Sequence, residues 1–155
     1  MTASAVPVVR SGEDRRGAPF RFVNGQFDTK VSPDDTGGGL FVIDTWRTEP
    51  GGPPLHVHHD VDEWFCVLSG RFRIRIGGVD HELGPDDSVL GPRGLEHAFA
   101  SLTPTARLLI AFTPAGSMEA FFREGAAAAP LSPADFAALS AAHGMTVTGP
   151  PLPLS

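Results

Sequence analysis

Residues Arg71 to Ile76 read Arg-Phe-Arg-Ile-Arg-Ile, bounded by Ser69-Gly70 before and Gly77-Gly78 after. On an extended chain successive side chains point to opposite faces, so Phe72, Ile74 and Ile76 go one way and the three arginines the other. A run this short, strictly alternating and closed by turn residues at both ends, is one strand of a tightly turned antiparallel sheet. The same punctuation recurs along the chain. Gly39 to Arg47 and Glu63 to Leu68 are rich in β-branched and aromatic residues, and further short strands are expected at Val79 to Leu83, Ser88 to Leu90, His97 to Ser101 and Ala106 to Phe112. Eighteen glycines and fifteen prolines in 155 residues supply the turns. The pattern predicts an all-β antiparallel sandwich or barrel.

The chain has the length of one domain with a proper core. Residues 1–18 are small and polar, with a charged knot from Glu13 to Arg16, and read as a flexible N-terminal arm. Residues 19–114 hold the strands and are expected to form the barrel. After Pro114 the character changes. Gly116 to Glu124 is helical in composition, with Ser117 as a candidate cap, and Ser132-Pro133-Ala134-Asp135 starts a second helix that closes at Gly144. Residues 115–155 are thus expected to be a helical segment and a proline-rich tail packed on the barrel. No internal repeat is visible, which argues against two barrels.

The net charge of −6, without a basic stripe interleaved with aromatics, excludes a nucleic-acid partner. The single cysteine, Cys66, excludes an internal disulfide framework. No signal-like run opens the chain and no stretch approaches the ~20 apolar residues of a spanning helix, so the expected location is the cytoplasm, with no membrane partner.

Four of the six histidines, His56, His58, His59 and His97, fall within forty-two residues, and Glu63 stands among them. His56 and His58 are two apart and share one face of an extended chain. Glu63 opens the next strand after the polar turn His59 to Asp62. His97 follows the Gly91-Pro92-Arg93-Gly94 turn. Three neutral imidazoles and one carboxylate suit Fe, Mn, Co or Ni, with Zn also accepted, and disfavour Ca and Mg. His59 is out of phase and reads as a rim residue; His81 and His143 receive no role. Cys66 alternates out of phase with Glu63 and reads as a packed thiol, and Arg71, Arg73 and Arg75 as a solvated face.

This arrangement resembles the cupin superfamily. Gly51 to Gly70, with His56, His58, Glu63 and six residues to Gly70, is similar to the first cupin motif, and Pro92-Arg93-Gly94-Leu95-Glu96-His97 to the centre of the second. Asp86 replaces the second motif's leading glycine and Ser101 its closing asparagine; neither is a ligand position. The resemblance implies an antiparallel double-stranded β-helix, or jelly-roll, barrel with C-terminal helices, and one divalent transition metal per chain held by His56, His58, Glu63 and His97. The tail, from Thr113-Pro114-Ala115-Gly116 through Phe121-Phe122, is similar to small single-domain bacterial cupins related to quercetin dioxygenases, and implies a helix covering one barrel mouth.

Pocket walls are expected from Phe41 or Val42 with Trp46, and from Phe65, Phe99 and Phe112, with Met118, Phe121 and Phe122 on the covering helix. So apolar a wall favours a small aromatic or polyketide-like enol over a sugar phosphate, which would require convergent Arg, Lys or backbone N–H groups. The resemblance implies a quercetinase-like dioxygenase in which substrate oxyanion and O₂ meet at the metal and Glu63 assists deprotonation. Cupins also include isomerases, dehydratases, cyclases, decarboxylases and non-catalytic binding modules, and the ligands alone do not choose among them. Small cupins often pair, so a homodimer is expected, with residues 1–18 or the proline-rich tail available for exchange.

Overall fold

The computed structural model describes residues 7–155. Its strands are β1 (Phe20–Phe22), β2 (Gly25–Val31), β3 (Phe41–Arg47), β4 (Pro54–His58), β5 (Asp62–Ser69), β6 (Phe72–Ile76), β7 (Val79–Leu83), β8 (Ser88–Gly91), β9 (His97–Ser101), β10 (Ala106–Thr113) and β11 (Met145–Pro151). Two helices, α1 (Met118–Ala128) and α2 (Pro133–Ala142), lie between β10 and β11. A six-stranded sheet runs β1-β2-β3-β10-β5-β8 and a five-stranded sheet runs β11-β4-β9-β6-β7. Every strand pair within them is antiparallel. The architecture is the jelly roll with C-terminal helices that the sequence predicts.

Alternation decides what faces the interior. Phe65 and Val67 on β5, Phe72 and Ile74 on β6, and Leu108, Ile110 and Phe112 on β10 all enter one core cluster. Cys66 is half-buried on the opposite phase. Outside β6, Arg73 pairs with Glu82 at 3.1 Å and Arg75 with Asp80 at 2.5 Å, each across the β6–β7 register. Arg73 and Arg75 are thus locally neutralised, and Arg73, whose Nη1 also donates to the Pro153 carbonyl at 2.7 Å, is covered by the tail rather than solvated.

Three features depart from the sequence reading. The hairpin β1–β2 turns on Val23-Asn24, and its two strands extend the larger sheet. The proline-rich tail does not merely pack on the barrel: Met145 to Val147 pairs with His58 to His56, so β11 is an edge strand of the smaller sheet. Proline is tolerated there because an edge strand leaves amides unpaired anyway. In the arm, the knot is tied down. Asp14 Oδ1 accepts from the Thr29 amide at 2.6 Å, Arg15 pairs with Asp35 at 2.9 Å, and Arg16 reaches both Asp34 and Glu119 at 2.8 Å. Residues 1–6 lie outside the described residues.

The helices close one end of the barrel. Ser132 caps α2 by accepting from the Asp135 amide at 3.1 Å, with Pro133 in the first turn. Ser117 stands at the N-cap of α1, yet its hydroxyl bonds His143 Nδ1 at 2.8 Å, and His143 Nε2 bonds Glu124 at 2.8 Å. That chain clasps the start of α1 to the end of α2.

Candidate metal centre

Both sheets contribute to the centre. His56 and His58 project inward from β4, and His56 lies directly opposite His97 of β9 in register. Glu63 comes from the facing sheet, on β5, opposite Phe112 of β10 and Gly91 of β8. All four side chains are buried, and one potential ligand atom from each lies within 4.8 Å of the others. The imidazole centroids of His56 and His97 are 4.6 Å apart, and those of His58 and His97 5.2 Å.

The local chemistry fits a cation. His56 Nδ1 lies 2.7 Å from the Pro54 carbonyl oxygen. A carbonyl only accepts, so Nδ1 carries the proton and Nε2 keeps its lone pair. Burial, reinforced by the neighbouring His97 and His58, pushes the His56 pKa down to about 3. This ring is neutral at physiological pH, the form a metal requires. Glu63 Oε2 sits 3.0 Å from His58 Nε2 and 2.7 Å from His97 Nε2. Burial alone would raise the Glu63 pKa, but His97 and His58 outweigh it and hold the carboxyl well below the usual range. His97 Nδ1 is buried with no hydrogen-bond partner among the described residues. A buried carboxylate crowded by imidazole nitrogens is the donor set of a divalent first-row metal.

Beside the four residues lies a cavity of about 40 Å³. Of the expected walls, Phe99, Phe112, Met118, Phe121 and Phe122 line it. Phe41 and Phe65 are fully buried behind it, Phe41 stacked on Phe112 at 5.9 Å and Phe65 edge-on to His97 at 5.6 Å. Val42 and Trp46 are corrections. They share a phase opposite to Phe41, Ile43 and Thr45, and Trp46 lies on the outside under the Arg107 guanidinium, 4.3 Å from its ring centroid. The sequence reading missed Phe22, Phe27 and Phe136, which also line the cavity. The alternation Phe20-Arg21-Phe22 before Asn24-Gly25 was the available signal for the first two. His59 is exposed and bonds Thr146 Oγ1 at 2.8 Å, a rim position as expected.

A model of the cupin domain matches residues 45–112, which include all four residues of the centre. The chain belongs to the cupin superfamily. An uncharacterized protein of Streptomyces coelicolor is 30% identical over 76 residues, covering 49% of this cupin and 68% of that protein. Among solved structures, a predicted oxalate decarboxylase from Thermotoga maritima superposes with a TM-score of 0.61 at 18% identity, over 70% of this cupin and 99% of that chain. KdgF from Halomonas sp. gives 0.56 at 19% identity, over 64% and 89% respectively. At such identities these two likenesses show the fold alone. No helix among the described residues of this cupin is long and apolar enough to cross a membrane.

Proposed function

We propose that this cupin is a mononuclear metal-dependent enzyme, and specifically a quercetinase-like dioxygenase acting on a small aromatic or polyketide-like enol. The observation that carries this reading is the three-histidine, one-glutamate centre opening onto a cavity walled by Phe99, Phe112, Phe121 and Phe122. His56, His58, Glu63 and His97 would hold the ion. When bound, a divalent transition metal supplies Lewis acidity and open positions for a substrate oxygen and for O₂. Glu63, held ionised by its imidazole neighbours, is the group placed to take the enol proton. The phenylalanines offer apolar faces that would favour a flat ring once the cavity widens to admit one. A small-molecule substrate and a homodimeric assembly belong to the same proposal, and a light-scattering mass of one chain would remove the dimer.

A second reading keeps the same centre and drops O₂: non-redox lyase or isomerase chemistry, with the ion as Lewis acid and Glu63 as general base. One experiment separates the two: elemental analysis of the purified chain, followed by oxygen uptake with flavonols and related enols. The dioxygenase reading expects about one Fe, Mn, Co or Ni per chain and uptake that stops in His97→Ala. Undiminished turnover under strict anaerobiosis would replace it with the second reading.

A further inference from the structure

Arg47 ends β3 with the parity of Phe41, Ile43 and Thr45, so its side chain enters the barrel, where it is 2% exposed. Its Nη1 donates to Thr45 Oγ1 at 3.3 Å and its Nη2 to the Val23 carbonyl. Its Nε is buried with no partner. No carboxylate among the described residues pairs with it, although the charge of Glu49 reaches it weakly. Burial lowers its pKa to about 10, so the guanidinium stays charged at neutral pH. A buried cation without a counter-ion is costly and persists where something else requires it.

Its surroundings say what that is. The guanidinium carbon lies 5.2 Å from the centroid of Phe99, and both Phe99 and Val23 line the cavity that His56, His58 and Glu63 also line. That cavity, about 40 Å³, has room for water and not for an organic substrate. A groove of about 770 Å³ adjoins it; Phe22, Val23 and Phe136 line both spaces, and Arg47 lies behind Val23 and Phe99 without lining either. The partition between them includes the β1–β2 turn, whose Val23 has φ +44 and Asn24 φ +60. A β-branched residue in the left-handed region is strained, and such strain clusters at ligand-contacting sites.

We propose that Arg47 is the counter-charge for a carboxylate on the substrate, and that the carboxylate takes the guanidinium from the Val23 carbonyl and so joins groove to cavity. The proposal rests on the reading that this cavity is the substrate site. It narrows the substrate class to flat, largely apolar acids. The polar end faces Arg47, and the reacting carbon lies toward Glu63. It also adds a cation to the apolar wall expected from the sequence.

The test measures affinities by calorimetry on the full, metal-loaded chain, with cinnamate, benzoate and phenylpyruvate each set against its methyl ester. The wild type is expected to prefer the acids. In Arg47→Met acid affinity should fall by about tenfold to a hundredfold while ester affinity stays within about twofold. Arg47→Lys should keep part of the preference. Without ligand, Arg47→Met should melt at or above the wild-type temperature, since it deletes an unpaired buried charge. Acid affinity unchanged in Arg47→Met would mean that the carboxylate sits on the metal alone, and would overturn the proposal. So would the absence of any acid preference in the wild type, or a failure of Arg47→Met to fold, which would make the arginine a structural strut. These readouts do not depend on oxygen uptake, so this proposal and the dioxygenase reading can fail separately.

Discussion

At the Glu63 carboxylate, two imidazole nitrogens converge on a single oxygen, a contact that two ring N–H donors can make and that a shared cation can replace. Glu63→Gln removes the charge and keeps the shape, so metal affinity should drop by at least about tenfold, measured by competition with a chromophoric chelator. Asp28 presents the opposite situation. It is buried, neither carboxylate oxygen has a partner among the described residues, and it lies in register with Asp44 of β3. Burial raises its pKa despite the pull of Lys30. Between the ordinary carboxylate value, about 3.9, and the raised native one, the folded chain keeps a proton that the unfolded chain has released, so stability falls as pH rises through that window. Asp28→Asn should raise the melting temperature at pH 7 by about 2–4 °C. That advantage should vanish near pH 3, and a melting series across pH checks both. The four centre residues were legible in the sequence because two-residue and thirty-four-residue spacings survive any choice of turn. Arg47 was not, since an arginine closing a strand reads as surface until the phase set by Phe41 and Ile43 is fixed.

Among the elements, the strands from Phe41 to Thr113 were legible because most of them alternate and end on Gly or Pro. Strand β11 was not, because Met-Thr-Val-Thr alternates over only four residues before Gly-Pro-Pro interrupts it, and its place is set by pairing with β4. Helix α1 carries a second tertiary effect. Gly125 lies inside it, where alanine would ordinarily improve helix stability by about 1 kcal/mol. Here an added Cβ would stand 2.5 Å from Phe22 Cζ, and that ring is packed among Phe121, Phe122 and Phe136. Gly125→Ala should therefore destabilise by about 1–3 kcal/mol, against the propensity, in a urea titration.

For the whole molecule, the centre joins the two sheets: three ligands come from one and the fourth from the other. An ion bound there favours the folded chain alone, adding about 4 kcal/mol when present at a thousand times its dissociation constant. Chelation should lower the melting temperature by on the order of 10 °C, and stoichiometric metal should restore it. Scanning calorimetry with and without chelator reads this directly. An antiparallel sandwich or barrel was legible at this scale from the short, turn-bounded strands, while the jelly roll itself came from the resemblance of the His56–Gly70 and Pro92–His97 motifs to cupins. The partition between groove and cavity was not, because it depends on a turn tip meeting α2 from far along the chain.

The pairing of β11 with β4 also sets an order of events in the cell. His56 and His58 are held on one flank by Met145 to Val147, a segment translated long after them, and on the other by the single register pair with His97. A nascent chain that has emerged only as far as β10 presents these histidines on a strand with one side open. All four residues of the centre precede that segment, but the strand carrying two of them gains its second neighbour only when β11 docks, so a metal taken up during synthesis would meet a less rigid centre than one taken up afterwards.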